Sequence, residues 1–217
     1  RKEPEFLRHR LLECRDCGMV YAAHVPAPAE LGEAYRDAAY DSGDEARCAA
    51  RTYAACLAEA LRHPVPKRGA IDIGAGNGAL LGWLREAGYD PVIGIEPSRA
   101  AIAAAPPEIR SALREGMFPG EGKVAAGASS SLVCAFMILE HVADPAAFCR
   151  AAHESLVPGG EFAVVVHDRR AWINRLLGLR SPIMDVEHLQ LFDPRSLEHL
   201  LARCGFATIT VRPIVNR

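Results

Sequence analysis

Three glycines spaced two apart, Gly74, Gly76 and Gly78, interrupt an apolar run, and an acid, Glu96, lies twenty positions after Gly76. Those residue types at that spacing suit a nucleoside ligand. Glycine lets the backbone turn tightly and approach a ligand because no Cβ intervenes. A carboxylate about twenty residues on can accept hydrogen bonds from both hydroxyls of an adenosine ribose. A second acid, Asp72, stands two residues before the first glycine.

Two ligands fit this arrangement. A dinucleotide would lay its pyrophosphate on a helix N-terminus, and Gly74-x-Gly76-x-x-Ala79 formally meets that fingerprint. Asp72 argues against it, because a carboxylate is badly placed beside a pyrophosphate. S-adenosylmethionine carries an ammonium and a sulfonium and no phosphate, so the negative charge favours it.

The elements that must position these residues are readable around them. Ile71 and Ile73 suit a buried strand, and Ala79 to Leu84 begins a helical pattern. Tyr89 to Glu96 reads as a second strand ending in the acid. Ser98 caps a short helix from Arg99 to Ala105 that Pro106-Pro107 ends, and Ile109 to Leu113 reads as a third strand. Residues 119–130 read as loop. Ser131 to Phe136 is a fourth, doubly buried strand. Asp144-Pro145 opens a helix to about Leu156, Pro158-Gly159-Gly160 turns into a fifth strand over Glu161 to Val166, and Asp193-Pro194 starts another helix. A final strand is expected over Ala207 to Val211.

Four stretches in this order carry a resemblance: Asp72-Ile73-Gly74-Ala75-Gly76-Asn77-Gly78, Gly94-Ile95-Glu96-Pro97-Ser98, Leu139-Glu140-His141-Val142-Ala143-Asp144-Pro145, and Leu156-Val157-Pro158-Gly159-Gly160. Residues 69–213 thereby resemble a class I S-adenosylmethionine-dependent methyltransferase of the small bacterial type. The resemblance implies an α/β, Rossmann-like fold with a mostly parallel twisted sheet and helices on both faces. It implies a cofactor site built from Asp72, Gly74, Ala75, Gly76, Glu96, Pro97, Gly116, Met117, Phe118, Ala135 and Phe136. Glu96 would meet the ribose, the loop glycines would lie under the methionine arm, and Gly116-Met117-Phe118 would line the adenine. Where relatives often have Asp, this chain has Ser131, which concerns a strand start. Two other readings stay open: a catalytically idle S-adenosylmethionine-binding module, and a nicotinamide oxidoreductase, which Asp72 and the Pro-Gly-Gly turn disfavour.

Methyl transfer needs the acceptor aligned with the carbon–sulfur bond, and a base only if the acceptor loses a proton. His167 and His188, then His141, are the candidate bases. Ubiquinone-pathway and small-RNA methyltransferases place a metal-binding Glu three positions before a similar Glu-His pair. Here Met137 occupies that position, so no metal is expected. Arg169, Arg170, Arg175 and Arg180 could form a solvated helix face or recognise an anionic small molecule.

Residues 1–25 contain Cys14-x-x-Cys17-Gly18, one knuckle of a zinc ribbon, as in sugar C-methyltransferase relatives. No second close pair follows, so zinc is expected only with sequence upstream of Arg1. Residues 26–65 form a helical cap, with helices at about 29–40 and 44–62, whose Tyr35, Tyr40 and Tyr53 either pack or reach the ligand. Residues 66–217 form the methyltransferase domain, with a lid-like insertion at about 169–190. The chain starts without Met, and the family's last strand would fall largely beyond Arg217.

Composition bounds the rest. The chain has 217 residues, 50% hydrophobic and 24% charged, with a formal net charge of −2. That balance gives no support to bulk electrostatic binding of nucleic acid. The longest apolar run, Leu132 to Leu139, is too short to span a bilayer. Seven scattered cysteines point to a reducing cytoplasm rather than a disulfide framework. The expected partner is a small-molecule acceptor, such as a sugar or other anionic metabolite, without nucleic acid or membrane. Monomer and homodimer both remain open.

Overall fold

A computed structural model describes residues 9–38, 40, 43–61, 67–120 and 130–214. The loop expected over 119–130 falls largely outside these residues. The chain divides into two compact units.

One unit comprises Pro28–Phe136, Ala151–Val164 and Pro213–Arg217. Its elements are α1 (Pro28–Arg36), α2 (Gly43–Ala60), β3 (Arg68–Ile73), α3 (Ala79–Glu86), β4 (Asp90–Glu96), α4 (Arg99–Ala103), α5 (Pro107–Arg110), β5 (Leu113–Glu115), β6 (Ser130–Phe136) and most of β7 (Leu156–Val165). The sheet runs in the order β5-β4-β3-β6-β7. β3 lies parallel to both β4 and β6, and β4 lies parallel to β5. Ile73 is therefore level with Ile95 on one side and Ala135 on the other. The carboxyl ends of these strands gather at one edge, the edge where open α/β sheets bind ligands.

Burial explains the arrangement. Leu132, Val133, Cys134 and Ala135 are wholly buried, as their continuous apolar run requires of a central strand. Leu80, Leu81 and Leu84 recur at helical spacing on α3 and pack with Ala70, Val92, Leu113 and Leu132. Fully burying one such leucine contributes roughly 1.5–3 kcal/mol. Ser131, the departure from the family pattern, accepts a hydrogen bond from Arg68 N at 2.9 Å and donates to Gly69 O at 3.3 Å. It ties the starts of two central strands together.

Three expectations need correction. Ile109 lies in α5, not in a strand, because Pro107 at its first position favours a helical start. Pro158-Gly159-Gly160 lies inside β7 rather than in a turn before it, and the preceding helix, α6 (Pro145–Glu154), stops earlier. Strand β7 ends the sheet order, and an end strand tolerates a residue without an N–H. Ala207 to Val211 forms no strand. Alternating β-branched residues are insufficient where no ladder partner exists among the described residues.

The other unit comprises Arg1–Ala27, Met137–Arg150 and Val165–Arg212. Here β1 (Leu11–Glu13) and β2 (Val20–Ala22) form an antiparallel hairpin, and β2 also pairs with β8 (Gln190–Leu191). The remaining helices are α7 (Trp172–Leu177), followed by a 3-10 turn, and α8 (Pro194–Arg203). Asp193 caps α8: its side chain accepts from Ser196 N, while Ser196 Oγ accepts from Asp193 N. Asp144 Oδ1 accepts from Ala147 N at 2.8 Å, so the proposed start of α6 holds. Cys14 and Cys17 sit in the β1–β2 turn as free thiols. Hydrogen bonds from nearby groups pull the Cys14 thiol below its ordinary value, while burial pushes Cys17 up. No cluster able to hold a metal occurs among the described residues.

Candidate cofactor and acceptor sites

The glycine loop leaves β3 at Ile73 and enters α3 at Ala79. Gly76 and Gly78 both adopt the left-handed region, with φ of 54° and 76°. At Gly78 a Cβ would also meet Ile109 Cγ2 at 2.4 Å. Four of the loop's N–H groups are committed internally. Gly74 N and Ala75 N donate to Ile95 O, Gly76 N donates to Glu96 Oε2, and Gly78 N donates to Ala75 O. A pyrophosphate needs such groups directed at it, so their commitment disfavours a dinucleotide.

Glu96, at the end of β4, is almost fully buried. Its Oε2 accepts from Gly76 N at 2.7 Å and its Oε1 from Ser98 N at 2.8 Å. Burial raises its pKa, and the two backbone donors work against that rise. A carboxylate has about four lone-pair sites, so two remain after these bonds. Two hydroxyl donors of a ribose fit that remainder.

Asp72 is buried on the central strand, level with Gly94 and Cys134. Burial, with the nearby Glu96 charge adding to it, pushes its carboxyl up to about 8. A buried acid of this kind favours a cation beside it. Asn77 Oδ1 is buried without a hydrogen-bond partner among the described residues, a further polar group that a ligand could satisfy. These observations fit an adenosine carrying a cationic amino-acid arm.

The remaining expected positions lie around the same sheet edge. Ala135 is buried at the end of β6, and Phe136 packs against Tyr53 with ring centroids 4.5 Å apart. Gly116 N donates to Glu96 O, setting Gly116, Met117 and Phe118 directly after β5. Pro97 links Glu96 to Ser98, whose Oγ donates to Ala38 O at 3.2 Å. The sequence singled out Ser98 only as a helix cap; its second task, donating to Glu96, depends on the turn and is invisible in residue type. Tyr40 also comes into the site, with its ring 3.8 Å from where a Gly76 Cβ would stand. Gly32 on α1 approaches Met117 in the same manner, at 3.6 Å.

In the other unit the three expected histidines form a cluster. His188 lies 4.8 Å from His141 and 5.4 Å from His167, ring centre to ring centre. Their arrival from three separate segments was not readable from spacing. His141 Nδ1 is 3.0 Å from Glu187 O, and His188 Nδ1 is 2.9 Å from Ile183 O. A carbonyl can only accept, so each Nδ1 must carry the proton. In neutral His188 the lone pair therefore sits on Nε2. Burial holds His141 down to about 4 and also lowers His167, with the His188 charge adding to both.

Glu140 organises this cluster, a role its sequence neighbourhood did not reveal. It is wholly buried, and its Oε1 accepts from His167 N at 2.7 Å. Its backbone carbonyl accepts from Leu189 N and Gln190 N, the residues following His188. Its Oε2 has no hydrogen-bond partner among the described residues, and burial raises its pKa. Asp193 plays the same part for the arginines: its Oδ2 lies 2.9 Å from both Arg169 Nη2 and Arg170 Nε. Two of the four arginines are thus structural.

A parallel α/β sheet with a glycine turn after one strand and a buried acid after the next defines a nucleoside-binding protein. A methyltransferase-domain family model matches residues 45–211, and the chain belongs to that family of S-adenosylmethionine-dependent methyltransferases. It is 36% identical over 107 residues to a ubiquinone biosynthesis O-methyltransferase from Methylobacterium sp. (strain 4-46). That match spans 46% of this chain and 41% of the relative's length. Among solved structures, a S-adenosylmethionine-dependent methyltransferase from Thermotoga maritima, described as a possible histamine N-methyltransferase, superposes with a TM-score of 0.57 at 21% identity. The likeness covers 75% of this chain and 73% of that one. A S-adenosylmethionine-dependent methyltransferase from Archaeoglobus fulgidus gives 0.58 at 17% identity, covering 72% and 69%. At these identities the two structures show the shared fold. No helix among the described residues is long and apolar enough to cross a membrane.

Proposed function

We propose that the protein transfers a methyl group from S-adenosylmethionine to a hydroxyl of a small molecule, with His188 as the base. The carrying observation is the Ile183 carbonyl at 2.9 Å from His188 Nδ1, which assigns the lone pair to Nε2. When bound, S-adenosylmethionine supplies an electrophilic methyl on a sulfonium. Glu96 holds the ribose through its two remaining lone-pair sites, and Asp72 faces the ammonium. The loop from Gly74 to Gly76 passes beneath the amino-acid arm. Pro97, Met117 and Phe118 border the adenine, with Gly116, Ala135 and Phe136 completing the wall. A hydroxyl acceptor would lose its proton to a base, the role proposed for His188 Nε2, as its oxygen–carbon bond forms and the carbon–sulfur bond breaks to leave a neutral thioether.

Burial opposes the charging of His141 and His167, which makes them poorer bases. A base of this kind contributes most with a hydroxyl acceptor, whose high pKa keeps it protonated until its bond to carbon forms. The partial likeness to an enzyme named as an O-methyltransferase agrees with it.

The test compares His188→Gln, His167→Gln and His141→Gln with labelled S-adenosylmethionine and a panel of phenolic, sugar and amine acceptors. His188→Gln should lower turnover on a hydroxyl acceptor roughly 10²-fold or more, with cofactor affinity within about 1 kcal/mol of wild type. Equal turnover in all three variants and wild type would remove the histidines from the chemistry.

A further inference from the structure

The helix α7 has its polarity reversed. Asn174 is held inward: its Nδ2 donates to Asp168 O at 2.7 Å, and its Oδ1 accepts from buried Ser181 Oγ at 2.7 Å. Trp172 and Leu176, one turn apart on another face, are 75% and 73% exposed. Leu179 in the following 3-10 turn is 57% exposed, and Ile173 and Leu177 are partly exposed. A surface helix ordinarily turns its apolar stripe to the core. Here the hydrogen bonds fix the polar residue inside and leave the apolar arc outside.

The charges beside this arc specify what would cover it. Arg175 and Arg180 are exposed and make no ion pair or side-chain hydrogen bond among the described residues. No acid occurs between Arg169 and Arg180. Arg170 is already engaged by Asp193, so Arg175 and Arg180 are the cations available. Exposed Trp and Leu interleaved with unpaired guanidiniums match the boundary between acyl chains and anionic headgroups. A second copy is a poorer occupant, because a two-fold contact through this face would set these arginines against their own equivalents.

We infer that α7 and the turn after it, through Trp172, Leu176, Leu179, Arg175 and Arg180, dock the protein reversibly on an anionic lipid surface. The segment lies on the surface without crossing it, so the absence of a long apolar run is consistent with this role. The inference does not depend on the choice of base or acceptor.

The test is co-sedimentation with vesicles of phosphatidylcholine alone or mixed with phosphatidylglycerol, in low and high salt. Wild-type protein should sediment with the anionic vesicles and about tenfold less with the neutral ones, and high salt should release it. Trp172→Ala/Leu176→Ala and Arg175→Ala/Arg180→Ala should each reduce partition about tenfold or more, with unchanged melting temperature. Trp172 emission should shift to the blue on anionic vesicles, read in a Trp83→Phe background. No partition to anionic vesicles, or partition by either variant equal to that of wild type, would overturn the assignment. Self-association in sedimentation velocity that the Trp172/Leu176 variant abolishes would overturn it too, identifying a second copy as the occupant.

Discussion

Glu96 Oε2 accepts a hydrogen bond from Gly76 N at 2.7 Å, joining the acid at the end of β4 to the turn of the glycine loop. The acid thereby shapes the loop before any ligand arrives, and Ser98 N fixes its other oxygen. Glu96→Gln should retain one amide oxygen for a backbone donor but lose an acceptor. It should weaken S-adenosylhomocysteine binding less than Glu96→Ala. Calorimetry on both variants checks the order, and equal affinities would separate loop shaping from binding.

Asp72 should make the ligand-free protein less stable as pH rises. Its folded carboxyl is raised to about 8 from an ordinary 3.8, so the folded state holds the proton more tightly. The stabilisation is complete below about pH 4 and is lost as pH climbs toward 8. Asp72→Asn should remove that component. Urea midpoints for both proteins at several pH values give the difference, and a constant difference across the range would contradict the assignment.

His141 should act in the opposite direction. Its folded value is lowered to about 4 from 6.5, so the unfolded chain binds the proton more readily. The stabilisation is present above about pH 6.5 and is lost as pH falls toward 4, on the order of 1–3 kcal/mol. His141→Asn should lose less stability than wild type between pH 7 and 5. Parallel acid-unfolding curves would show that the ring is not buried neutral.

The glycine loop and the acids beside it were legible because their pattern is local. Gly74, Gly76 and Asp72 are near neighbours, and Glu96 closes the next strand, so type and spacing carried the reading. The histidine cluster was legible only as a list of residues. Its geometry depends on Glu140 receiving His167 N and on the Leu189 and Gln190 donors, contacts between distant segments. Local pattern also misled at Ile109, where Pro107 outweighed β-branching, and at Ala207 to Val211, where strand propensity found no ladder. Tyr40 over Gly76 could be named as a candidate, whereas its position depended on the chain path between α1 and α2.

Packing behind the glycine loop offers a test independent of any ligand. A Cβ on Gly94 would stand 2.6 Å from Leu113 Cδ2, 2.8 Å from Ala75 Cβ and 2.9 Å from Leu81 Cδ1. Gly94→Ala should therefore cost about 1–3 kcal/mol by overpacking. Chemical denaturation measures it, and a neutral result would show that the β4–α3 contact is looser than described.

Glu96 is proposed to hold S-adenosylmethionine at a site that excludes a dinucleotide. Isothermal titration of wild type and Glu96→Ala with S-adenosylhomocysteine and with NAD tests both halves in one experiment. Wild type should bind S-adenosylhomocysteine and not NAD, and Glu96→Ala should lose roughly 1.5–3 kcal/mol of affinity. Binding of NAD by wild type, or undiminished S-adenosylhomocysteine affinity in Glu96→Ala, would contradict the proposal.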